Sequence, residues 1–125
     1  MNKETIAAVA LAAAMALVSG SAMADGNAKK GKKVFKKCKA CHSIKVGKKK
    51  VGPTMFGVAG RDAGTLEGFR FSKAMKASGV TWDDASLDKY LTKPKKFIPK
   101  GKMSFSGLKK KTDRDNVIAY LKTLK

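Results

Sequence analysis

The chain has 125 residues, of which 28 are basic and 9 acidic, giving a formal net charge of +19 at pH 7. This balance suits a nucleic acid, an anionic membrane surface or an acidic protein as partner. Only three of the cations are arginines. Because arginine is the residue favoured for reading base edges and gripping phosphates, the composition argues against a sequence-reading DNA-binding protein.

The first element in chain order is predicted to be a secretory signal. Lys3 precedes an apolar run over residues 6–18, and Ala22-Met23-Ala24 matches the small-x-small pattern of a cleavage site. Thirteen residues at ~1.5 Å each span ~20 Å, which is short of a ~30 Å hydrocarbon core. We therefore predict a signal peptide over residues 1–24, cleaved after Ala24, although retention as a membrane tether is the alternative.

The remaining domain, residues 25–125, faces a stability problem. Cleavage of 24 residues from 125 leaves 101, and the net charge stays at +19 because Lys3 and Glu4 are lost together. A chain of this size is marginal for building a core, and its self-repulsion opposes compaction. Something besides ordinary side-chain packing is expected to hold it together.

The first segment of this domain, AKKGKKVFKKCKA over residues 28–40, is predicted to be a helix. On a helical period, one face collects its apolar and small residues. Those residues are Ala28, Gly31, Val34, Phe35 and Cys38.

Both cysteines and the only histidine of the chain then fall within CKACH, residues 38–42. A dithiol redox motif normally follows a strand, whereas a helix is predicted here. A zinc site needs more ligands, and the adjacent Cys41 and His42 chelate one ion poorly. The C-x-x-C-H order instead matches haem attachment, with thioether bonds to Cys38 and Cys41 and His42 as the proximal iron ligand. We predict one covalent haem c, which would also fill the core, so the apo-protein is expected to be largely unfolded in low salt.

The second axial ligand has three methionine candidates in the cleaved protein, Met55, Met75 and Met103. Met75 lies in a predicted short helix, where methionine usually fills a core. Met103 lies in an irregular segment over residues 99–107, far enough along the chain to wrap to the opposite face of the haem. Met103 is therefore favoured, with an open position, Lys102 or another lysine as alternatives.

The later elements are also helical. Residues 83–91 are predicted to form a helix with acidic residues at its start, ending before Pro94. Thr112 followed by Asp115 resembles a capping box and predicts a last helix over residues 113–124. Because no alternating strand pattern is found, the fold class is predicted to be all-α.

Taken in order, CKACH, GPTMFGVAGR, GVTW, LTKPKKFIPKGKM and KKKTDRDNVIAYLKTL resemble the class I cytochromes c. The resemblance is closest to the soluble mitochondrial-type and bacterial cytochrome c2 or c550 group and covers essentially all of residues 25–125. It implies a small helical domain wrapped around one covalently attached haem. It also implies a close crossing of the first and last helices, with Gly31, Phe35 and Tyr120 at the contact.

The same resemblance assigns roles around the haem. The carbonyl of Pro53 is expected to bind the second nitrogen of His42 and so orient the imidazole. Arg61 and Trp82 match positions that face a haem propionate.

On the methionine side, Tyr90 matches the tyrosine beside the ligand Met103. Three residues depart from the family pattern. Phe71 replaces a propionate-binding tyrosine, Met75 replaces a buried asparagine, and Gly101 replaces a threonine before the ligand. Fewer hydrogen bonds near the haem imply an altered reduction potential and a looser ligand loop.

The function implied is that of a periplasmic one-electron carrier and not of an enzyme. It would link a quinol-oxidising membrane complex of the cytochrome bc1 type to a terminal oxidase, a reductase or a photosynthetic reaction centre. A haem enzyme or a gas or peroxide sensor with an open sixth position is the alternative. The protein is expected to be a monomer that docks on acidic surfaces through lysines matching the family's docking positions, namely Lys37, Lys95, Lys96, Lys102, Lys109, Lys110 and Lys111.

Overall fold

The computed structural model describes residues 26–125, so the predicted signal peptide and Asp25 lie outside the described residues. Between residues 26 and 125 the regular structure is helical, with no strand and a single antiparallel bridge between Asp62 and Thr81. None of the helices there is long and apolar enough to cross a bilayer. The all-α prediction is confirmed. The helices are α1 (Ala28–Val34), α2 (Lys73–Ala77), α3 (Asp84–Thr92), α4 (Pro94–Phe97) and α5 (Lys111–Leu121), and a 3-10 turn (Phe35–Lys37) follows α1.

The first helix is shorter than the predicted span of residues 28–40. Asn27 caps it by accepting a 2.9 Å hydrogen bond from the backbone N–H of Lys30. At Phe35 the backbone N–H is shared between the carbonyls of Gly31 and Lys33, and the chain tightens into the 3-10 turn. The prediction was wrong here because apolar spacing over a single turn cannot distinguish a period of 3.6 residues from one of 3.0.

The expected crossing of the first and last helices is confirmed. Gly31 is buried, and a Cβ placed on it would lie 1.9 Å from the backbone oxygen of Asn116. The rings of Phe35 and Tyr120 pack 5.4 Å apart. The side chain of Asn116 also accepts a 2.8 Å hydrogen bond from the backbone of Asn27. Only a residue without a side chain fits between α1 and α5.

The last helix begins two residues before the predicted start and ends at Leu121 rather than residue 124. Its N-cap residue is Lys110, whose side chain makes no capping hydrogen bond, so the capping box predicted from Thr112 and Asp115 is wrong. The carboxylate of Asp115 is instead paired with the amine of Lys111 at 3.0 Å. This ion pair, between residues four apart on the helix, occupies the Asp115 carboxylate that a capping box would use.

The third helix matches its prediction closely, since Asp83 is the N-cap residue and α3 extends one residue beyond residue 91. Pro94 then opens α4, a four-residue helix that was not predicted.

Arg114 ties α5 to α3 and to the segment that precedes α5. Its guanidinium pairs with Asp88 at 2.7 Å and donates to the carbonyl of Leu108 at 2.9 Å, so the segment that contains Met103 is anchored at its end.

Candidate haem site

The CKACH segment forms a tight turn directly after the 3-10 turn. The N–H groups of Cys41 and His42 both bond the carbonyl of Cys38, at 3.1 and 2.9 Å. The two thiols are not joined in a disulfide; Cys38 is half-buried and Cys41 is exposed. Burial, helped by Cys41, raises the pKa of Cys38 against the opposing effect of Lys37. Since a redox-active thiol requires a lowered pKa, the environment does not favour dithiol redox chemistry.

His42 is held with one ring nitrogen occupied and the other free. Its Nδ1 lies 2.7 Å from the carbonyl oxygen of Pro53, which can only accept, so Nδ1 carries the hydrogen. Burial is the main cause that lowers the pKa of His42, and Lys50 adds to it, while the bond to Pro53 opposes both. A neutral imidazole with a free Nε2 lone pair is the form that binds a metal.

Two residues that support this arrangement were missed from the sequence. A Cβ on Gly52 would lie 2.3 Å from Cε1 of His42, so the backbone at this position packs directly on the imidazole. The hydroxyl of buried Thr54 donates to the carbonyl of Lys45 at 2.7 Å and fixes the loop that follows the motif. The Gly-Pro dipeptide was the available signal for Gly52, whereas no sequence pattern marks Thr54.

The Met103 thioether lies in an irregular segment, as predicted. The hydroxyl of Tyr90 donates to its sulfur at 3.9 Å, and burial raises the pKa of Tyr90 to about 12, so the phenol remains a donor at neutral pH. Lys102 reaches the backbone oxygen of Arg70 at 3.1 Å and ties this segment to the preceding one. Met75 lies in α2 and packs on the core.

Arg61 and Trp82 are joined through their backbones, since the N–H of Trp82 donates to the carbonyl of Arg61 at 2.9 Å. The Arg61 guanidinium donates to the carbonyl of Phe56 at 3.1 Å, and burial lowers its pKa. The ring of buried Trp82 packs 4.9 Å from that of Tyr90. The structure therefore connects Arg61, Trp82, Tyr90 and Met103 through consecutive contacts, while His42 and Pro53 form a second contact pair.

The donor set fits a haem c. It offers two unpaired thiols one turn apart, an imidazole with a free Nε2 and a thioether contacted by a phenol. Over residues 26–125, no group of three or more His, Cys, Asp or Glu residues is arranged to hold a metal ion.

The predicted docking lysines are all exposed. Two of them have partners, because Lys111 is paired with Asp115 and Lys102 donates to the backbone of Arg70. The positive charge of Lys111 is therefore partly compensated by a carboxylate, whereas the partner of Lys102 is an uncharged carbonyl.

Comparisons with known proteins identify the family of the chain. The family model of cytochrome c matches residues 28–125. The chain is similar to the cytochrome c2 of Rhodomicrobium vannielii, at 49% identity over 92% of this chain and 93% of that protein. It is 52% identical to the cytochrome c2 of Rhodoblastus acidophilus over 80% of this chain and 94% of that one.

Among solved structures, cytochrome cH from Methylobacterium extorquens matches with a TM-score of 0.75 and 48% identity, over 78% of this chain and 99% of that one. The chain therefore belongs to the cytochrome c family and carries one covalent haem c.

Proposed function

We propose that the chain is a periplasmic one-electron carrier in which His42 and Met103 are the axial ligands of the haem and Cys38 and Cys41 hold it covalently. A bound haem c supplies a one-electron iron couple. The proposal rests on the observation that neighbouring residues hold both proposed ligands, His42 and Met103, in place. The carbonyl of Pro53 bonds His42 at 2.7 Å, and the hydroxyl of Tyr90 contacts the sulfur of Met103 at 3.9 Å.

The ligand set determines the class of chemistry. His42 uses its free Nε2 and stays neutral because burial lowers its pKa. The thioether of Met103 is uncharged and would favour the reduced state of a bound haem iron. If His42 and Met103 both hold the iron, they would leave no position for a substrate, and the haem would supply outer-sphere electron transfer. The chain is an electron carrier and not an enzyme, and no contact in residues 26–125 favours the open-site alternative.

Arg61 and Trp82 have a separate role in this proposal, which is to hold a haem propionate. The Arg61 guanidinium has five N–H groups, and its contacts with the carbonyls of Phe56 and Thr54 leave others free. Its partly buried position would strengthen a bond to a carboxylate.

The partners proposed are the acidic surfaces of a quinol-oxidising complex and of an oxidase, a reductase or a reaction centre. A net charge of +19 would steer the protein toward such surfaces, and steering raises the association rate more than the affinity. Exposed docking lysines near the haem edge would give a small interface that dissociates quickly. The signal peptide over residues 1–24 would place the protein in the periplasm.

The test is the salt dependence of electron transfer from the reduced holoprotein to an acidic redox protein. The second-order rate constant should fall steeply between about 0.01 and 0.5 M ionic strength as the charges are screened. The double variant Lys95→Gln, Lys96→Gln should flatten that dependence. The matched variant Lys29→Gln, Lys30→Gln removes the same charge from α1 and should affect it less. Equal effects of both pairs would contradict the docking assignment, and a rate independent of salt would contradict electrostatic docking itself.

A further inference from the structure

The segment that contains Met103 is held mainly at its two ends. Ile98 before it and Leu108 after it are each 3% exposed, whereas no residue between them is buried. The backbone N–H groups of residues 102–107 bond no other backbone group in the part of the chain that the structure describes. The position of the Met103 sulfur therefore depends on how firmly the two ends of the segment are fixed.

The later end is tied to α3 through the backbone. The N–H of Leu108 donates to the carbonyl of Leu91 at 2.7 Å. Gly107 lies so close to α3 that a Cβ on it would be 2.1 Å from the backbone oxygen of Thr92, and its φ is +110°. A residue with a side chain would be strained in that conformation and would push the two backbones apart. The sequence therefore keeps this end of the segment directly against the last turn of α3.

Arg114 ties the same end of the segment to both α3 and α5. Its Nη1 donates to the carbonyls of Leu108 and Lys109, at 2.9 and 3.1 Å. Its Nε donates to the carboxylate of Asp88 at 2.7 Å. The side chain of Arg114 is 11% exposed and that of Asp88 is 34% exposed, so this charged hydrogen bond is better shielded from water than a surface ion pair. One side chain of α5 thus joins the end of the Met103 segment to α3.

The helix α3 also carries the residue that contacts the Met103 sulfur. Tyr90 lies two positions after Asp88, and its hydroxyl donates to that sulfur at 3.9 Å. Without the Asp88 carboxylate, Arg114 would still bind the end of the segment but would no longer tie it to α3. The segment would then be freer to move relative to α3, and Met103 would be held less firmly beside Tyr90.

A second ion pair joins the same two helices and provides a contrast. Lys122 pairs with Asp84 at 3.0 Å, and the lysine side chain is 51% exposed. Neither residue makes a hydrogen bond to residues 98–109 in the described structure. The two pairs therefore differ in one respect that matters here, because only Arg114 connects α3 to the Met103 segment.

We propose that Asp88 and Arg114 are positioning residues for Met103, and that their ion pair keeps the thioether in place as the sixth ligand of the haem iron. This inference rests on the proposed function, because it takes Met103 as that ligand. The helix α5 would then control how often the sixth position opens, although none of its residues is a proposed ligand.

The first test measures the affinity of imidazole for the oxidised holoprotein, since imidazole takes the sixth position only when Met103 leaves it. Asp88→Asn removes the charge of the pair and keeps the two carbonyl contacts of Arg114, so the protein should still fold. The imidazole affinity should rise about ten-fold, because a hydrogen bond to a charged group is lost. The control Asp84→Asn removes the same charge from the same helix and should raise the affinity less than about three-fold. Equal effects of the two variants would overturn the proposal.

A second comparison separates positioning from a general loss of stability. Gly31→Ala is expected to destabilise the protein at the crossing of α1 and α5. It should change the imidazole affinity less than about three-fold, because opening of the Met103 segment is local and does not require global unfolding. An increase as large as that of Asp88→Asn would mean that imidazole binding follows overall stability, and would overturn the positioning role.

A double variant tests whether the two residues act through each other. Asp88→Asn combined with Arg114→Gln should raise the imidazole affinity no more than Arg114→Gln alone, because the pair is already broken in the single variant. Effects that multiply would mean that Asp88 and Arg114 act independently, and would contradict the proposed ion pair.

The spectrum of the oxidised wild-type protein distinguishes failure of this inference from failure of the proposed function. If the weak red band of methionine sulfur on ferric iron is absent, Met103 is not the ligand and both are wrong. If the band is present and Asp88→Asn binds imidazole as the wild-type protein does, the proposed function stands and the positioning role is wrong.

Discussion

Replacing Gly31 with alanine sets two opposite effects against each other at the crossing of α1 and α5. Alanine favours a helix interior over glycine by about 1 kcal/mol. The new Cβ, however, would lie 1.9 Å from the backbone oxygen of Asn116 and 2.8 Å from Cβ of Tyr120, whereas ordinary contact begins at 3.4 Å. The shortfall is 3.4 − 1.9 = 1.5 Å, and a backbone atom cannot rotate away.

The two helices must therefore separate, which also loosens the packing of Phe35 on Tyr120. Overpacking costs about 1–3 kcal/mol, and the upper end applies because both partners are rigid. After the gain in helix propensity, Gly31→Ala should lower the free energy of unfolding by about 2 kcal/mol. For a domain of this size the Tm should fall by about 8–16 °C.

The assay is guanidinium chloride unfolding of the oxidised holoprotein, followed by circular dichroism and confirmed by a thermal scan. Lys32→Ala is the matched control, since it changes an exposed neighbour in the same helix and should shift stability by less than about 0.5 kcal/mol. If Gly31→Ala is as stable as the wild-type protein or more so, helix propensity outweighs the steric clash with Asn116, and α1 and α5 do not require a glycine at their crossing.

Three further changes test other parts of the structure. Gly52→Ala would push a Cβ into the His42 ring and turn the imidazole away from its present orientation. Binding of His42 to the iron should then weaken about 10- to 100-fold, which would appear as less low-spin iron in the visible spectrum. An unchanged spectrum would contradict this role of Gly52. Arg114→Met removes a side chain that is 11% exposed and donates to a carboxylate and two carbonyls. The free energy of unfolding, measured in denaturant, should therefore fall by about 2–3 kcal/mol. The control Lys111→Met breaks an exposed ion pair and should lower it by less than about 0.5 kcal/mol. Hydrogen bonds from Ser86 lower the pKa of Asp83, the N-cap residue of α3. The stability that the charged carboxylate adds as a cap is therefore present at neutral pH and is lost as the pH falls through that lowered pKa. The stability difference between the wild-type protein and Asp83→Asn should shrink from pH 7 to acid, and a constant difference would refute the cap.

The haem-binding turn could be predicted from the sequence because covalent attachment fixes both the identity and the order of Cys38, Cys41 and His42. The segment of Met103 was also predictable, since its irregular composition and distance along the chain are visible without a structure. The Pro53 contact came from the family resemblance and is present as a 2.7 Å hydrogen bond.

The features that were not predicted depend on competing interactions or on how closely residues approach each other in the folded chain. The capping box at Thr112 failed because Asp115 pairs with Lys111 instead. The 3-10 turn at Phe35 was not foreseen because it differs from a helix only in its hydrogen-bond spacing. The role of Gly52 depends on how near the His42 ring lies, a distance that no local pattern encodes.

The most direct test of the account is the visible spectrum of the holoprotein, oxidised and reduced, before and after addition of carbon monoxide. If His42 and Met103 both bind the iron, the reduced spectrum should not change with carbon monoxide, and the oxidised protein should show the weak red band of methionine sulfur on ferric iron. Rapid carbon monoxide binding at neutral pH would mean that Met103 does not hold the sixth position, and it would contradict the assignment of the chain as an outer-sphere electron carrier.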